Sequence, residues 1–281
     1  MAFGKKLLAY IQISRPLNSL ITFLVIIVAS IISIDGTYSV LKIILAGLSG
    51  ALTASAGNVI NDYFDINIDK INKPTRILPS GKLSLKEAFA FYIILSIAAL
   101  LISSFININA FITVFIALTF LFFYSYHVKK IPLLGNIVVS TLTGLAFIYG
   151  GIAVNNVSFA LIPALFALLI NFVREIIKDM EDAEGDKRQG INTYPVSYGF
   201  KKAKMIVVFD TTVLIILTLY PFVVNIYAIE YFLIVMICVN PLMVYIVISL
   251  FEDDSVKNLN KLSNLLKLNM VIGLIAIFLG K

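Results

Sequence analysis

Nine stretches of mostly apolar residues alternate along the chain with shorter polar segments. A helix that crosses a bilayer needs about 20 such residues, because each residue adds about 1.5 Å of length. A bilayer offers the backbone no hydrogen-bond partners, so segments of this kind are predicted to be helical. The predicted spans are residues 17–34, 40–60, 87–106, 109–126, 132–152, 158–177, 204–225, 229–250 and 263–280. The pattern predicts an all-α, polytopic membrane protein, a bundle of nine transmembrane helices forming one membrane-embedded domain.

The first residues of the chain have a different pattern. Lys5 and Lys6 lie among apolar residues, and Arg15-Pro16 ends the stretch without a small-residue cleavage site. A cleavable signal peptide does not have this pattern. Residues 2–14 are predicted to form an amphipathic helix that lies at the membrane surface.

The composition excludes a soluble domain of this length. Of the 281 residues, 60% are hydrophobic and only 14% are charged, and the mean hydropathy is +0.98. A soluble protein needs more polar residues to cover its surface. The net charge of +6 therefore belongs to the connections between spans and does not indicate nucleic-acid binding.

Positive charge is concentrated in alternate connections. On the side of the amino terminus lie 20 of the 22 Lys and Arg residues, and only Lys42 and Lys281 lie on the other side. Connections rich in Lys and Arg remain in the cytoplasm. We therefore expect a multi-pass protein of the cell membrane whose amino terminus and long polar connections are cytoplasmic.

The second span leads directly into acidic and amide side chains. In a continuous helix these residues would form one stripe, at positions i, i+4, i+7 and i+11, with Asn61 beside it. The stripe consists of Asn58, Asp62, Asp65 and Asp69. Carboxylates at such spacing repel one another unless a cation lies among them.

The acidic spacing occurs a second time after the sixth span. The pattern D-x-x-D-x-x-x-D of Asp62, Asp65 and Asp69 recurs 117 residues later at Asp179, Asp182 and Asp186. The repetition predicts a pseudo-repeat, with halves of about 1–130 and 131–281, whose acidic clusters face one cavity. Either cluster alone would also fit a solvated acidic loop.

Basic and hydroxyl-bearing side chains accompany the carboxylates on the same side of the membrane. They are Arg15 before the first span, Lys73 and Arg76 after the second, and Tyr124, Lys129 and Lys130 after the fourth. Mg²⁺ bridges carboxylates to phosphate oxygens, and Lys and Arg neutralise the remaining charge. The combination predicts a site for Mg²⁺ and a diphosphate, and an intramembrane pocket suits a diphosphate with a long lipid tail.

The sequence offers few other groups for catalysis. It contains one His, His127, and one Cys, Cys238, and it has no zinc-ligand spacing, P-loop or Ser-His-Asp arrangement. A metal bound to a diphosphate stabilises that group as it leaves, which is a chemistry the carboxylates can support.

Other functions fit the pattern less well. A cation-linked transporter would be expected to carry ionisable residues at mid-membrane depth, whereas most charges here cluster at one face. A Mg²⁺-dependent phosphoalcohol transferase would show a D-G-x-x-A-R signature, which is absent. A purely structural membrane protein would leave the 117-residue repeat unexplained.

Three motifs resemble those of the UbiA superfamily of intramembrane prenyltransferases. They are N-D-Y-F-D-I-N-I-D at Asn61–Asp69, R-I-L-P-S-G at Arg76–Gly81 and D-M-E-D-A-E-G-D at Asp179–Asp186. The resemblance extends over nearly the whole chain, including the placement of both aspartate motifs. It departs at Ile77, where many relatives have Pro, and we expect this change to affect loop stiffness rather than the site.

The resemblance implies roles for individual residues. Asn61, Asp65, Asp69, Asp182 and Asp186 would bind Mg²⁺ and the prenyl diphosphate, with the four aspartates as metal ligands. The residues implied to support substrate binding are Asn58, Asp62, Lys73, Arg76, Tyr124, Lys129, Lys130 and Asp179. Arg15 and Lys130 are candidates for a second phosphate, on the acceptor.

The second motif and the residues after it, K-D-M-E-D-A-E-G-D-K-R-Q-G-I-N-T-Y-P-V-S-Y-G from Lys178, resemble the archaeal lipid branch of that superfamily. This resemblance implies transfer of a geranylgeranyl group from its diphosphate to the free hydroxyl of geranylgeranylglyceryl phosphate. The product carries the second ether bond of archaeal membrane lipids. The alternative is the branch with an aromatic acceptor, such as 4-hydroxybenzoate or a quinone precursor.

Overall fold

The computed structural model describes residues 2–188 and 190–281, and this part of the chain is 83% helix with no strand. The first six helices are α1 (Ala2–Ile13), α2 (Pro16–Ile32), α3 (Val40–Phe64), α4 (Ile66–Asn72), α5 (Leu85–Ser104) and α6 (Ile108–Tyr126). They are followed by α7 (Leu134–Ala153), α8 (Ser158–Arg188), α9 (Tyr194–Tyr198), α10 (Phe200–Val223), α11 (Ile229–Ile234), α12 (Asn240–Glu252) and α13 (Val256–Gly280). A 3₁₀ turn covers Val128–Lys130, and a π-helical segment, Val235–Val239, joins α11 to α12.

The predicted all-α polytopic fold is confirmed. Within the described residues, eight helices are long and apolar enough to cross a membrane, and Ile229–Glu252 counts as one of them. The helices Gly4–Ile13 and Pro16–Ile32 are bent by 51° and together form the ninth candidate span. The predicted amphipathic helix at residues 2–14 therefore exists as α1, and its position at the membrane surface stays a prediction.

The two helices that carry the aspartate motifs and the last helix continue beyond the apolar stretches that predicted them. α3 ends at Phe64 rather than residue 60, α8 ends at Arg188 rather than residue 177, and α13 begins at Val256 rather than residue 263. Hydropathy marks only the part of a helix that lies in lipid, whereas the backbone hydrogen bonds continue into polar sequence. All three extensions carry polar and charged side chains.

Side-chain caps fix where several helices begin. Ser84 and Glu87 form a capping box at α5, in which each side chain satisfies the other residue's backbone N–H. Asn107 accepts a 2.8 Å hydrogen bond from the Ala110 N–H at α6, and Ser255 accepts one of 3.3 Å from Asn258 at α13. Such caps satisfy N–H groups that the helix itself leaves unpaired.

The chain divides into two compact units. One contains the chain up to Lys129 together with Ala146–Ala160, and the other contains Lys130–Leu145 together with Leu161–Lys281. The predicted single domain with pseudo-repeat halves of about 1–130 and 131–281 stays a prediction.

α3 is the central helix of the first unit and packs against α2, α5 and α6. Of its apolar stretch 61% is buried, compared with 22% for α6. Small residues make this possible: a Cβ on Gly50 would collide with the Ile26 side chain. Hydroxyl pairs add directional contacts, including Ser49 to Tyr149 at 2.6 Å.

A ring cluster near the end of α3 fills the space between α3, α5 and α6. The Phe64 ring meets those of Tyr63, Phe122 and Tyr126 at centroid distances of 5.2–5.5 Å. The aromatic residues therefore pack against one another and hold the end of α3 in place. They lie directly beside the acidic residues in sequence and fix the helix from which those residues project.

The second unit has its own apolar core, formed by residues of α8, α10, α12 and α13. Val173, Ile176 and Ile177 of α8 are fully buried in it. The acidic and basic residues that come later in α8 lie on the faces of the helix outside this core.

Candidate functional site

The first aspartate motif does not lie on one uninterrupted helix, and the prediction of a continuous stripe is wrong in this respect. α3 ends at Phe64 and α4 begins at Ile66, with Asp65 between them at φ −87° and ψ 2°. The backbone bonds Asp65 N–Asn61 O (3.0 Å) and Asp69 N–Asp65 O (2.8 Å) nevertheless bridge the break.

Asp62 and Asp69 share one cation. The Arg76 Nη1 donates to Asp69 Oδ2 at 2.7 Å and lies 3.5 Å from Asp62 Oδ1. Both carboxyls are almost fully buried, at 7% and 4% exposure. A buried carboxylate without a partner is costly, so Arg76 compensates for both.

A second arginine completes the environment of Asp62. Arg15, in the connection between α1 and α2, donates from its Nη2 to Asp62 Oδ1. Arg15 has a φ of 51°, in the left-handed region that costs a non-glycine residue energy. Nearby, the Asn58 amide donates to the Ser14 carbonyl oxygen at 3.0 Å, which ties the same connection to α3.

Asp65 is paired with a residue distant in sequence. The ammonium of Lys129 donates to Asp65 Oδ1 and to Asn61 Oδ1, the latter at 3.2 Å. Lys129 belongs to the 3₁₀ turn that follows α6. The structure thus brings Asn61, Asp65 and Lys129 together, as the predicted site requires.

The loop that carries Arg76 is anchored by apolar residues. Ile77 and Leu78 are buried in the core of the first unit. Gly81 closes the loop at φ +73°, a conformation that side chains rarely allow. At the position where many relatives have Pro, this chain thus has a buried Ile77 side chain in the segment that positions Arg76.

The second aspartate motif, by contrast, lies on a continuous helix. α8 runs unbroken through Asp179, Asp182 and Asp186 to Arg188. The intervening residues include the strong helix formers Met180, Glu181 and Ala183, and the helix also continues through Gly185. Asp182 is exposed, whereas Asp179 and Asp186 are half-buried.

Two residues of this second site were not predicted. Asn136 at the start of α7 is buried and donates from its amide to Asp179 Oδ2 at 2.8 Å. Glu175 lies one turn before Asp179 and adds a negative charge near it. The i−4 spacing in the sequence is a signal that would have identified Glu175, whereas the contact of Asn136 is long-range.

The remaining predicted residues lie at helix ends or in a turn. Lys73 ends α4 and is exposed, as is Lys130 in the 3₁₀ turn. Tyr124 is half-buried in the last turn of α6.

The donors suit a hard divalent cation. Carboxylate and amide oxygens are the ligands that Mg²⁺ prefers, and Mg²⁺ commonly uses only one or two carboxylates and completes its shell with phosphate and water. In the described part of the chain, no group of three or more His, Cys, Asp or Glu residues is arranged to hold a metal. The residues therefore fit a metal that is bound together with a phosphorylated ligand.

Comparison with protein families identifies the family to which the chain is similar. The model of the UbiA prenyltransferase family matches residues 20–271. A curated relative, the digeranylgeranylglyceryl phosphate synthase of Methanocaldococcus jannaschii, is 38% identical over 278 residues, covering 99% of this chain and 98% of the relative.

Solved structures agree with this match. A structure described as giving insights into digeranylgeranylglyceryl phosphate synthase in membranes is 38% identical, with a TM-score of 0.86 and 98% coverage of both chains. A UbiA homolog from Archaeoglobus fulgidus bound to GPP and Mg²⁺ is 21% identical, with a TM-score of 0.70 and coverage of 96% of this chain and 99% of that one. The second likeness concerns the fold.

Proposed function

This chain belongs to the UbiA prenyltransferase family, and we propose that it transfers a geranylgeranyl group from geranylgeranyl diphosphate to the free hydroxyl of geranylgeranylglyceryl phosphate. The proposal is supported by 38% identity, over 99% of this chain, to a relative named digeranylgeranylglyceryl phosphate synthase. The reaction forms the second ether bond of an archaeal lipid. The chain is a multi-pass membrane protein, and a lipid acceptor is accessible to such an enzyme.

One observation carries the proposal: each acid of the first motif already has a cation beside it. Asp62 and Asp69 contact Arg76, and Asp65 contacts Lys129. A divalent cation and a diphosphate bring opposite charges, so the carboxylates can turn to the metal while the basic groups turn to phosphate oxygens. The exchange leaves each buried charge compensated.

We assign Mg²⁺ binding to Asp65, Asp69, Asp182 and Asp186, with Asn61 contributing an amide oxygen. The UbiA homolog bound to GPP and Mg²⁺ supports this assignment by its fold. When bound, Mg²⁺ neutralises charge that develops on the diphosphate as it leaves. Asp62 and Asp179 support the site through Arg15 and Asn136, which they contact.

The chain's own residues then act on the donor. Lys73, Arg76 and Lys129 bind the diphosphate oxygens, as Lys and Arg do at other phosphate sites. The allylic C–O bond breaks and its electron pair goes to the diphosphate, which leaves an allylic carbocation sheltered by apolar walls. The acceptor oxygen attacks this carbon and loses its proton late, to the released diphosphate, so no strong base is needed.

We place this chemistry at the cytoplasmic face. The support is the charge of the connections, since 20 of 22 Lys and Arg residues lie on the side of the two aspartate motifs. The donor and the acceptor both carry anionic head groups, which would lie at that surface while their isoprenoid tails extend into the bilayer.

The test is a transfer assay with purified protein, geranylgeranyl diphosphate and Mg²⁺. Geranylgeranylglyceryl phosphate and 4-hydroxybenzoate are offered in separate reactions, each with an EDTA control. The proposal predicts an EDTA-sensitive, doubly prenylated glyceryl phosphate and no aromatic product. Formation of a product with the aromatic acid alone would support prenyl transfer and contradict the proposed acceptor.

A further inference from the structure

A row of polar side chains continues along α8 and α13 within the second unit. The row, here named the polar strip, consists of Arg174, Lys178 and Glu181 of α8 with Asn260, Asn264 and Lys267 of α13. Lys178 and the three α13 residues are exposed, and Arg174, Asn264 and Lys267 lie within the predicted spans 158–177 and 263–280.

Hydrogen bonds join the members of the strip in sequence. The Lys267 ammonium donates to Asn264 Oδ1 at 3.3 Å, and the Asn264 amide donates to Asn260 Oδ1 at 3.2 Å. The Asn260 amide in turn donates to Glu181 Oε1 at 2.7 Å, which links α13 to α8. The strip is therefore one connected feature.

The register of the two helices brings their cations to the same level. Arg174 precedes Glu181 by seven residues and Lys267 follows Asn260 by seven, so each lies about 10 Å along its helix from the contact of Glu181 with Asn260. Arg174 and Lys178 lie close enough to Lys267 for their charges to act on it, as do the acidic Glu175 and Glu181, so the two helices run in opposite directions here. Three cations and two carboxylates thus lie near one another beside the apolar core.

These cations retain unused hydrogen-bond donors. The Arg174 Nη1 pairs with Glu175 at 2.5 Å, but its Nε is buried without a hydrogen-bond partner among the described residues. In the same part of the chain, neither Lys178 nor Lys267 forms an ion pair. One turn before Glu175, the Asn171 amide nitrogen is also buried without a partner, in a side chain only 6% exposed.

A cationic, exposed strip on a membrane-spanning helix needs a polar or anionic neighbour. Polar groups at membrane depth are costly unless they face water, protein or a ligand. Three cations outnumber the two nearby carboxylates of Glu175 and Glu181, and their unused donors favour an anion with several acceptor oxygens, which phosphate has. A lipid phosphate also accounts for the strip's position on helices that extend into the apolar layer.

The strip adjoins the second aspartate motif. Lys178 and Asp179 are neighbours in sequence, and successive residues of a helix project about 100° apart. α8 therefore presents the acidic residues on one face and the cations of the strip on the next. The acceptor carries its hydroxyl and its phosphate on one glycerol. When the hydroxyl reaches the donor, the phosphate therefore lies within a few ångströms of the diphosphate.

We propose that Arg174, Lys178 and Lys267 bind the phosphate of the lipid acceptor, an inference that rests on the proposed function. Asn260 and Asn264 position Lys267 through the hydrogen-bonded chain. Of the two residues considered for this phosphate from the sequence, Arg15 is already engaged by Asp62 in the first unit.

The test compares two acceptors that differ only in the phosphate: geranylgeranylglyceryl phosphate and geranylgeranylglycerol. For K267Q and R174Q we expect the KM for the phosphorylated acceptor to rise about tenfold or more, as a lost charged hydrogen bond would cause. The KM for geranylgeranyl diphosphate and for the phosphate-free acceptor should stay within about twofold. Lys267 is exposed, so K267Q removes the charge without disturbing the core.

The matched control is K261Q, which removes an exposed lysine of α13 that donates to the Tyr245 hydroxyl rather than joining the strip. It should leave both acceptors unaffected. An unchanged KM for the phosphorylated acceptor in K267Q and R174Q would overturn the inference, as would equal increases for both acceptors. If the wild-type protein used neither acceptor while binding the donor, the proposed function itself would fail.

Discussion

Arg76 Nη1 lies 2.7 Å from Asp69 Oδ2, and this pair joins two residues seven positions apart in the sequence. The arginine side chain is 28% exposed, whereas that of Asp69 is 6% exposed. The cation therefore reaches inward from a partly open loop to a buried acid. A diphosphate that enters from the open side would meet Arg76 before it meets the carboxylate.

Replacing Arg76 by Gln should both destabilise the protein and stop transfer. Asp62 and Asp69 would lose a shared partner, and a buried unpaired charge costs about 1–3 kcal/mol or more. We expect a lower thermal midpoint in detergent and a loss of turnover. The second substitution D69N, added to R76Q, should restore much of the midpoint but not activity, because it removes the unpaired charge.

The control for this series is K82Q, which removes an exposed lysine just after the same loop. It should match the wild-type protein in stability and rate. Full activity of R76Q would show that this arginine does not bind the diphosphate.

Asn136 should support the second motif through its amide. N136L removes the donor to Asp179 and is expected to lower stability by about 1–3 kcal/mol and to reduce turnover. The exchange variant N136D/D179N keeps one amide and one carboxyl in contact and should recover stability. Thermal denaturation, followed by size-exclusion chromatography after incubation at graded temperatures, measures the stability of both variants. Equal stability of N136L and the wild-type protein would contradict a structural role for this bond.

Close helix packing makes one glycine sensitive to a single methyl group. A Cβ on Gly150 would lie 2.6 Å from Ala29 Cβ and 2.7 Å from the Ser30 backbone nitrogen, neither of which can move easily. G150A should therefore destabilise the first unit by about 1–3 kcal/mol. The matched control is G273A in α13, where a Cβ meets nothing within 4 Å and Ala favours the helix. A stable G150A protein would show that α2 and α7 are not held this tightly.

Metal removal should reveal how the acids are used. EDTA is expected to abolish transfer, and added Mg²⁺ should restore it, because the carboxylates and amide of the site are hard oxygen donors. Ca²⁺ should restore it less well, since it prefers longer bonds and more ligands. Product formation is measured in each case, and transfer that persists after exhaustive chelation would argue against a metal-bound diphosphate.

The spans and the acidic residues were predictable from the sequence because both depend on local patterns. Apolar stretches of bilayer length gave the helices, and the repeated aspartate spacing gave the candidate ligands. The break at Asp65 was not predicted, because the helical spacing of the acidic residues is the same with or without it.

Contacts between distant residues were not available from local patterns. Lys129 reaches Asp65 across 64 positions, and Asn136 reaches Asp179 across 43. Arg174 and Lys267 lie at the same height along neighbouring helices because of the register of those helices, which hydropathy does not specify. Such pairings follow from packing, which the structure supplies.

The central claim is that both aspartate motifs bind Mg²⁺ and the prenyl diphosphate, and a binding measurement tests it most directly. Labelled geranylgeranyl diphosphate is titrated into the wild-type protein, D65N, D182N and the control E184Q, each with Mg²⁺ or EDTA. Glu184 is exposed on the same helix as Asp182 and pairs only weakly with Arg188, at 3.8 Å. We predict Mg²⁺-dependent binding that D65N and D182N each weaken about tenfold or more and E184Q leaves unchanged. Wild-type affinity in D65N and D182N, or binding indifferent to EDTA, would contradict the claim.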